Sequence, residues 1–161
     1  MRGNTLAALV LLAGCRDAPT AAPPADPARQ AASALPAPVP VPTRSPSTSR
    51  DPDAVMVDWA SAVAQRDWPL VRGYWGEKGE RSGLSPQQFA HRWDSLLTPR
   101  VTIGAGSQEG AAGSLYYTAP VTIVDGPRRL SGEVVLRRVN DVPGATPEQL
   151  RWHIETTTLV P

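Results

Sequence analysis

The sequence predicts an α+β domain in which three helices precede and pack on an antiparallel sheet of about four strands. Three observations carry this. Every Trp, Tyr and Phe of the 161-residue chain lies after Asp53, so only residues 53–161 can build an aromatic core. Apolar residues recur at helical spacing up to Pro99 and alternate as in strands beyond it. The turns between the later apolar runs are short, which favours antiparallel neighbours.

The first helix follows Asp53, with Pro52 just ahead, and Val55, Trp59, Ala62 and Val63 form its apolar face. Asp67 caps a short second helix, with Pro69 in its first turn, Gly76 as a stop, and Val71, Tyr74 and Trp75 as apolar contributions. The stretch EKGERSGL then reads as a loop or small hairpin. Ser85-Pro86-Gln87-Gln88 is a capping box with Pro at the first helical position. Phe89, Trp93, Leu96 and Leu97 share a face of that third helix, and Thr98-Pro99 ends it. RVTIGAG, SLYYTAPVTIV, RLSGEVVLRRV and LRWHIETTTLV read as four strands. Gly110 and Gly113 bracket the first turn, Asp125-Gly126 marks the second, and NDVPGATPEQ is the longest connection.

Ahead of the domain, Arg2 and the run from Leu6 to Ala13 have the form of a secretory signal. The run is far short of the roughly 20 apolar residues needed to span a bilayer. Leu12-Ala13-Gly14-Cys15 follows it and resembles the lipobox of bacterial lipoproteins. The resemblance implies that residues 1–14 are removed as a signal peptide. It also implies that the Cys15 thiol carries diacylglycerol, which makes the membrane a partner. Arg16 stands where an Asp would retain such a protein in the inner membrane. The implied location is therefore the cell envelope, at the outer membrane and facing the periplasm. Cys15 is the single cysteine, so no disulfide framework and no Cys-based zinc site is expected. Residues 15–52 then form a lipidated Cys and a disordered Pro/Ala-rich tether, without Gly or aromatic residues.

The order of three helices and then strands resembles the cone-shaped fold of nuclear transport factor 2-like domains, ketosteroid isomerases and polyketide cyclases. The stretch ASAVAQRDWPLVRGYWG, a helix closed by a short Arg-Asp-Trp helix, carries the likeness together with that order. The resemblance implies a curved sheet wrapped around the helices with a pocket inside. A cystatin-like sheet around one helix is the rival, and the third helix argues against it. Proteins of the cone type include both enzymes and pure binding modules, so the fold does not choose between them.

Lys and Arg number 16 against 15 Asp and Glu, a net charge of +1 with no basic run, which excludes a nucleic-acid binder. His91 and Asp94 stand three apart and could form a base and its orienter, but helical spacing turns His91 away from the Phe89/Trp93/Leu96 face. Asp94 flanks that face, and Asp58 borders Trp59 without lying on the apolar stripe; these are the two candidate catalytic carboxylates. On the last strand His153 and Glu155 alternate with Trp152 and Ile154, and Glu133 and Arg137 share a face with Val135 on the strand before. With Trp152 in the core, these charges form an outward cross-strand ladder; with reversed parity they line a polar cavity. The glycines of residues 104–110 lack dinucleotide spacing and a following helix, and read as a twisted hairpin. Tyr116 and Tyr117 point to opposite faces. Trp59, Tyr74, Trp75, Trp93, Tyr117 and Trp152 either fill the core or line a ligand pocket. No metal set and no cofactor motif is present.

The expected function is a membrane-tethered, non-catalytic binding module for an envelope protein partner or a small apolar ligand. The alternative is a small isomerase-, cyclase- or hydratase-like enzyme with an Asp base in the pocket. A homodimer through the sheet is a further expectation.

Overall fold

The computed structural model describes residues 44–161. The expected signal peptide, Cys15 and the expected tether up to residue 43 lie outside the described residues. The domain is α+β, with helices α1 (Pro52–Ala64), α2 (Trp68–Gly73) and α3 (Pro86–Trp93) ahead of strands β1 (Arg100–Ile103), β2 (Ser107–Ala111), β3 (Ser114–Asp125) and β4 (Arg128–Val139). A one-turn helix α4 (Pro147–Leu150) separates β4 from the last strand, β5 (His153–Thr157).

The helix boundaries follow local chemistry. Asp51 caps α1 by accepting from the Asp53 amide, and Asp67 caps α2 by accepting from Leu70. Ser85 and Gln88 close a reciprocal capping box on α3, each satisfying an amide that would otherwise lack a partner. Thr146 and Gln149 repeat that device on α4. The α1 stripe of Val55, Trp59, Ala62 and Val63 is fully packed, with Met56 added to it. Each such side chain contributes about 1.5–3 kcal/mol by leaving water.

The α3 face differs from expectation at one end. Phe89, Trp93 and Leu96 are buried, but Leu97 is 69% exposed. The helix stops at Trp93 and Asp94 is its C-cap, so helical spacing no longer governs position 97.

The sheet has five strands rather than about four. The order is β1-β3-β4-β5, all antiparallel, and β2 pairs with β3 on the same side as β1. Residues 104–106 are therefore an interruption in one edge line, and of the expected twisted hairpin at 104–110 only residues 107–110 pair, as the first arm of the β2–β3 hairpin. Pro120 in mid-β3 explains the break: its carbonyl accepts from the Gly104 amide at 2.8 Å, but it has no N–H to give back on that side. Gly106 is required by close approach, since a Cβ there would lie 2.1 Å from the Tyr117 ring.

Tyr117, Ala119, Val121 and Ile123 of β3 and Val134 and Leu136 of β4 face the helices and join their apolar residues in one core. Tyr116 faces the other way from Tyr117, as alternation requires. The Tyr117 hydroxyl donates to the Asp53 carboxylate at the start of α1. Burial, and then that carboxylate, push the Tyr117 phenol up to about 12.

Among the described residues, 44–52 contact the domain ahead of the expected boundary at residue 53. Arg44 donates to Gln65 at 2.7 Å, the Ser47 amide donates to the Tyr74 hydroxyl at 3.2 Å, and the Arg50 carbonyl accepts from the Trp152 indole at 2.8 Å. Tyr74 and Trp152 are buried aromatics whose polar ends need partners, and residues 47–50 supply them.

Candidate functional site

One of several cavities among the described residues lies on the outer side of the sheet, where β4 and β5 pass beneath the loop 76–83. It has a volume of about 210 Å³ and is lined by Gly76, Glu77 and Arg81 of the loop, Arg137 and Val139 of β4, Glu148 and Gln149 of α4, and His153 of β5. The antiparallel register sets His153 directly beside Arg137.

The expected parity holds here, with Ile154 in the core and His153 on the opposite face with Arg137 and Val135. The expected exposure does not. His153 is only 8% exposed, because the loop 76–83 closes over it. A Cβ on Gly76 would sit 3.1 Å from the imidazole and 2.6 Å from the Arg81 side chain, so the loop touches the ring through bare backbone. Glu77 and Lys78 hold φ of 56° and 55°, a strained region for residues with a side chain. Arg72 supports the loop by donating to the carbonyls of Lys78 and Leu84 at 3.2 and 3.1 Å.

The electrostatics follow from the partners. His153 Nδ1 lies 3.3 Å from the Arg151 carbonyl, which can only accept, so Nδ1 carries the proton of the neutral ring. Nε2 then has no hydrogen-bond partner among the described residues, and neither does Glu155 Oε2, 3.7 Å away. Burial is the main cause holding the His153 pKa below its ordinary value; the Arg151 and Arg81 guanidiniums add to it, while the Arg151 carbonyl and Glu155 oppose it. Glu155 Oε1 accepts from Arg81 at 3.1 Å and lies 3.9 Å from Arg137. This is the expected cross-strand ladder, with a loop arginine added. Glu148 is held ionised below its ordinary range by a bidentate bond from Arg151, at 2.7 and 3.2 Å.

The other sequence-predicted residues lie elsewhere. Asp58 is exposed on α1. The Asp94 side chain is 63% exposed, paired with Arg66 and accepting from the Trp68 indole at 3.3 Å. Neither carboxylate stands in an apolar cavity. His91 is exposed, as helical spacing expects.

Trp59, Tyr74, Trp93, Tyr117 and Trp152 are buried in the core. Trp93 stacks on Phe89 at 5.5 Å and meets Trp59 edge-on at 6.4 Å, so these rings fill space against one another. Trp75 is half-buried and, with Trp93, reaches a second cavity of about 240 Å³ beside Leu84 and Leu159. Among the described residues, no group of three His, Cys, Asp or Glu could hold a metal ion, and no helix is long and apolar enough to cross a membrane.

Arg81, Glu148 and Gln149 were not legible as site residues. The only sequence signal was Thr146-Pro147-Glu148-Gln149, which copies the cap pattern of Ser85-Pro86-Gln87-Gln88 and places a helix turn inside the long connection. The cavity walls carry imidazole, guanidinium, carboxylate and amide groups. The arrangement can hold a polar group by hydrogen bonds and charge. Compared with known proteins, the chain matches no protein-family model, no curated protein and no solved structure.

Proposed function

We propose that the protein is a lipid-tethered lipoprotein of the bacterial cell envelope, anchored through Cys15 at the outer membrane. Its folded domain is a non-catalytic binding module of the cone-like type, and a polar segment of a protein partner engages the cavity beneath the loop 76–83. The tether rests on the sole cysteine standing directly after Leu12-Ala13-Gly14. The cone-like reading is supported by three helices laying their apolar faces on one side of an antiparallel sheet.

The observation that carries the binding role is the division of side chains. The aromatic residues pack mainly against one another, with Trp75 and Trp93 alone also reaching the second cavity, while the cavity beneath the loop 76–83 is lined mostly by charged and amide side chains. This favours a polar protein segment over a small apolar ligand, and binding over an Asp-based isomerase. A second copy pairing through the outer sheet face is another partner of the same kind.

Two measurements test the reading. A fatty-acid analogue fed to cells should label the native chain and not Cys15→Ala; equal labelling of both would remove the tether. A photo-crosslinking residue at Gln149 should capture a discrete partner in the envelope, and Arg81→Ala with Arg137→Ala should abolish that capture. Capture equal to that from exposed Val57 on α1 would remove the cavity as the binding site.

A further inference from the structure

The end of the sheet away from the cavity gathers a second set of side chains. Arg100 opens β1, and Arg128 and Arg129 open β4. The register places Arg100 and Arg129 on either side of Val124, in one row across three strands. With strands about 4.8 Å apart, their backbones stand roughly 10 Å from each other. Ile123 faces the core, so this row lies on the outer face.

Arg128 pairs in register with Asp125 and donates to the Ser95 hydroxyl at 3.1 Å. The Asp125 carboxylate accepts from the amides of Leu97 and Thr98 at 2.9 and 2.6 Å, which binds the 97–98 turn to the hairpin tip. That clamp holds residue 97 beside the Asp125–Arg128 pair, on the sheet face opposite Arg100 and Arg129, and the Leu97 side chain is 69% exposed at the tip where the two faces meet. Arg100, Arg128 and Arg129 are exposed, and none forms a salt bridge with a described residue. By contrast Arg81 and Arg137, at the cavity, are both paired with Glu155.

We infer that Leu97, Arg100, Arg128 and Arg129 form a docking surface for an anionic phospholipid layer. Exposed guanidiniums attract headgroup phosphates, and an exposed leucine at the same tip enters the boundary of the acyl region. The surface lies at the tip of a hairpin, around a shallow hollow lined by Thr98, Arg100, Val124 and Gly126, and its exposed guanidiniums complement a layer of phosphates. The inference rests on the proposed tether only in that the tether keeps a membrane within reach; a stalk from Cys15 to Arg44 spans on the order of 90 Å when extended. Docked this way, the domain holds its cavity, roughly eight residues further along β4 and so about 27 Å from Arg129, away from the lipid.

The test uses residues 15–161 carrying Cys15→Ala, so that no acyl chain contributes. Sedimentation with phosphatidylglycerol vesicles should pull the chain down at low salt, with binding falling steeply towards 0.5 M salt, while phosphatidylcholine vesicles should not. A basic residue at an anionic surface contributes about five-fold to partitioning. Arg100→Glu with Arg129→Glu should therefore weaken binding by about a hundredfold or more, and Leu97→Ser by about tenfold. Lys78→Glu, which changes net charge at the far end of the domain, should leave binding within about twofold. The surface is refuted if the chain ignores anionic vesicles, or if Lys78→Glu weakens binding as much as the arginine reversals do. Retention on soluble polyglutamate without vesicle binding would also overturn it, in favour of an acidic protein. Fatty-acid labelling of the native chain reads the tether separately, so either idea can fail while the other stands.

Discussion

Replacing Trp93 with alanine should remove a large part of the domain's stability. The indole is 4% exposed and meets three other rings: Phe89 stacked at 5.5 Å, Trp68 tilted at 5.9 Å and Trp59 edge-on at 6.4 Å. Truncating a buried Trp costs about 3–5 kcal/mol. The upper half of that range applies here, because each aromatic pair adds about 0.5–1.5 kcal/mol beyond its area. Against a typical total of about 5–15 kcal/mol, the variant keeps a fold only if the domain starts well above the lower limit. The neighbouring His91→Ala, on the exposed face of the same helix, should stay within about 0.5 kcal/mol. Urea denaturation followed by Trp fluorescence separates the two. With a slope of about 2 kcal/mol per molar urea, Trp93→Ala should move the midpoint down by about 2 M and His91→Ala by less than about 0.3 M. Trp93→Phe should recover part of the loss. A Trp93→Ala midpoint within about 0.5 M of the native value would refute the four-ring packing on which the core assignment depends.

Stability should fall on acidification through His153. Burial lowers its folded pKa, so its contribution is present above the unfolded value near 6.5 and is lost as pH falls through that value; His153→Gln should flatten the melting temperature between pH 7 and 5. Tyr117 works in the opposite direction. Its phenol is raised to about 12, so its contribution is complete below pH 10 and is lost as pH rises from there towards 12; Tyr117→Phe should remove this alkaline loss in a pH-stepped melt, and at neutral pH cost about 1.5–3 kcal/mol for the bond to Asp53. Gly106→Val should destabilise by at least about 1–3 kcal/mol, since its Cβ would overlap the Tyr117 ring, and a calorimetric melt that matches the native one would show that residues 104–106 pack elsewhere. Deleting residues 31–43 should leave the melting temperature unchanged, whereas extending the deletion to residue 50 should lower it by removing the partners of Tyr74 and Trp152.

The parts of the fold that follow from local chemistry are legible in the sequence. Asp67, the Ser85–Gln88 box and the α1 stripe from Val55 to Val63 act within one or two turns, so spacing alone locates them. Leu97 shows where spacing fails: the periodic count runs on past a helix that a cap at Asp94 has already ended. The edge-strand break was encoded by Pro120, but its effect falls on residues 104–106, across a strand pair and distant in sequence. The site was half legible. Alternation puts His153 beside Arg137 and away from the core, yet its burial depends on the loop 76–83, which lies about seventy residues upstream and is ordered by Arg72 and Arg81. No periodicity within β5 carries that information.

The interruption at residues 104–106 bears on how copies of the domain behave when crowded. An unbroken edge strand offers a continuous row of amides and carbonyls on which another chain can polymerise. Here that row is divided into pieces of four and five residues, and the second piece carries the polar sequence SQEGA. The opposite edge is covered at one point, where Ile154 gives its amide to the Tyr74 carbonyl and forms a bridge with Trp75. Lipid anchoring of the kind proposed confines copies to a thin layer, where collisions are far more frequent than in free solution. A sheet with one edge broken and the other covered at Ile154 offers a crowded neighbour only short stretches on which to add a strand.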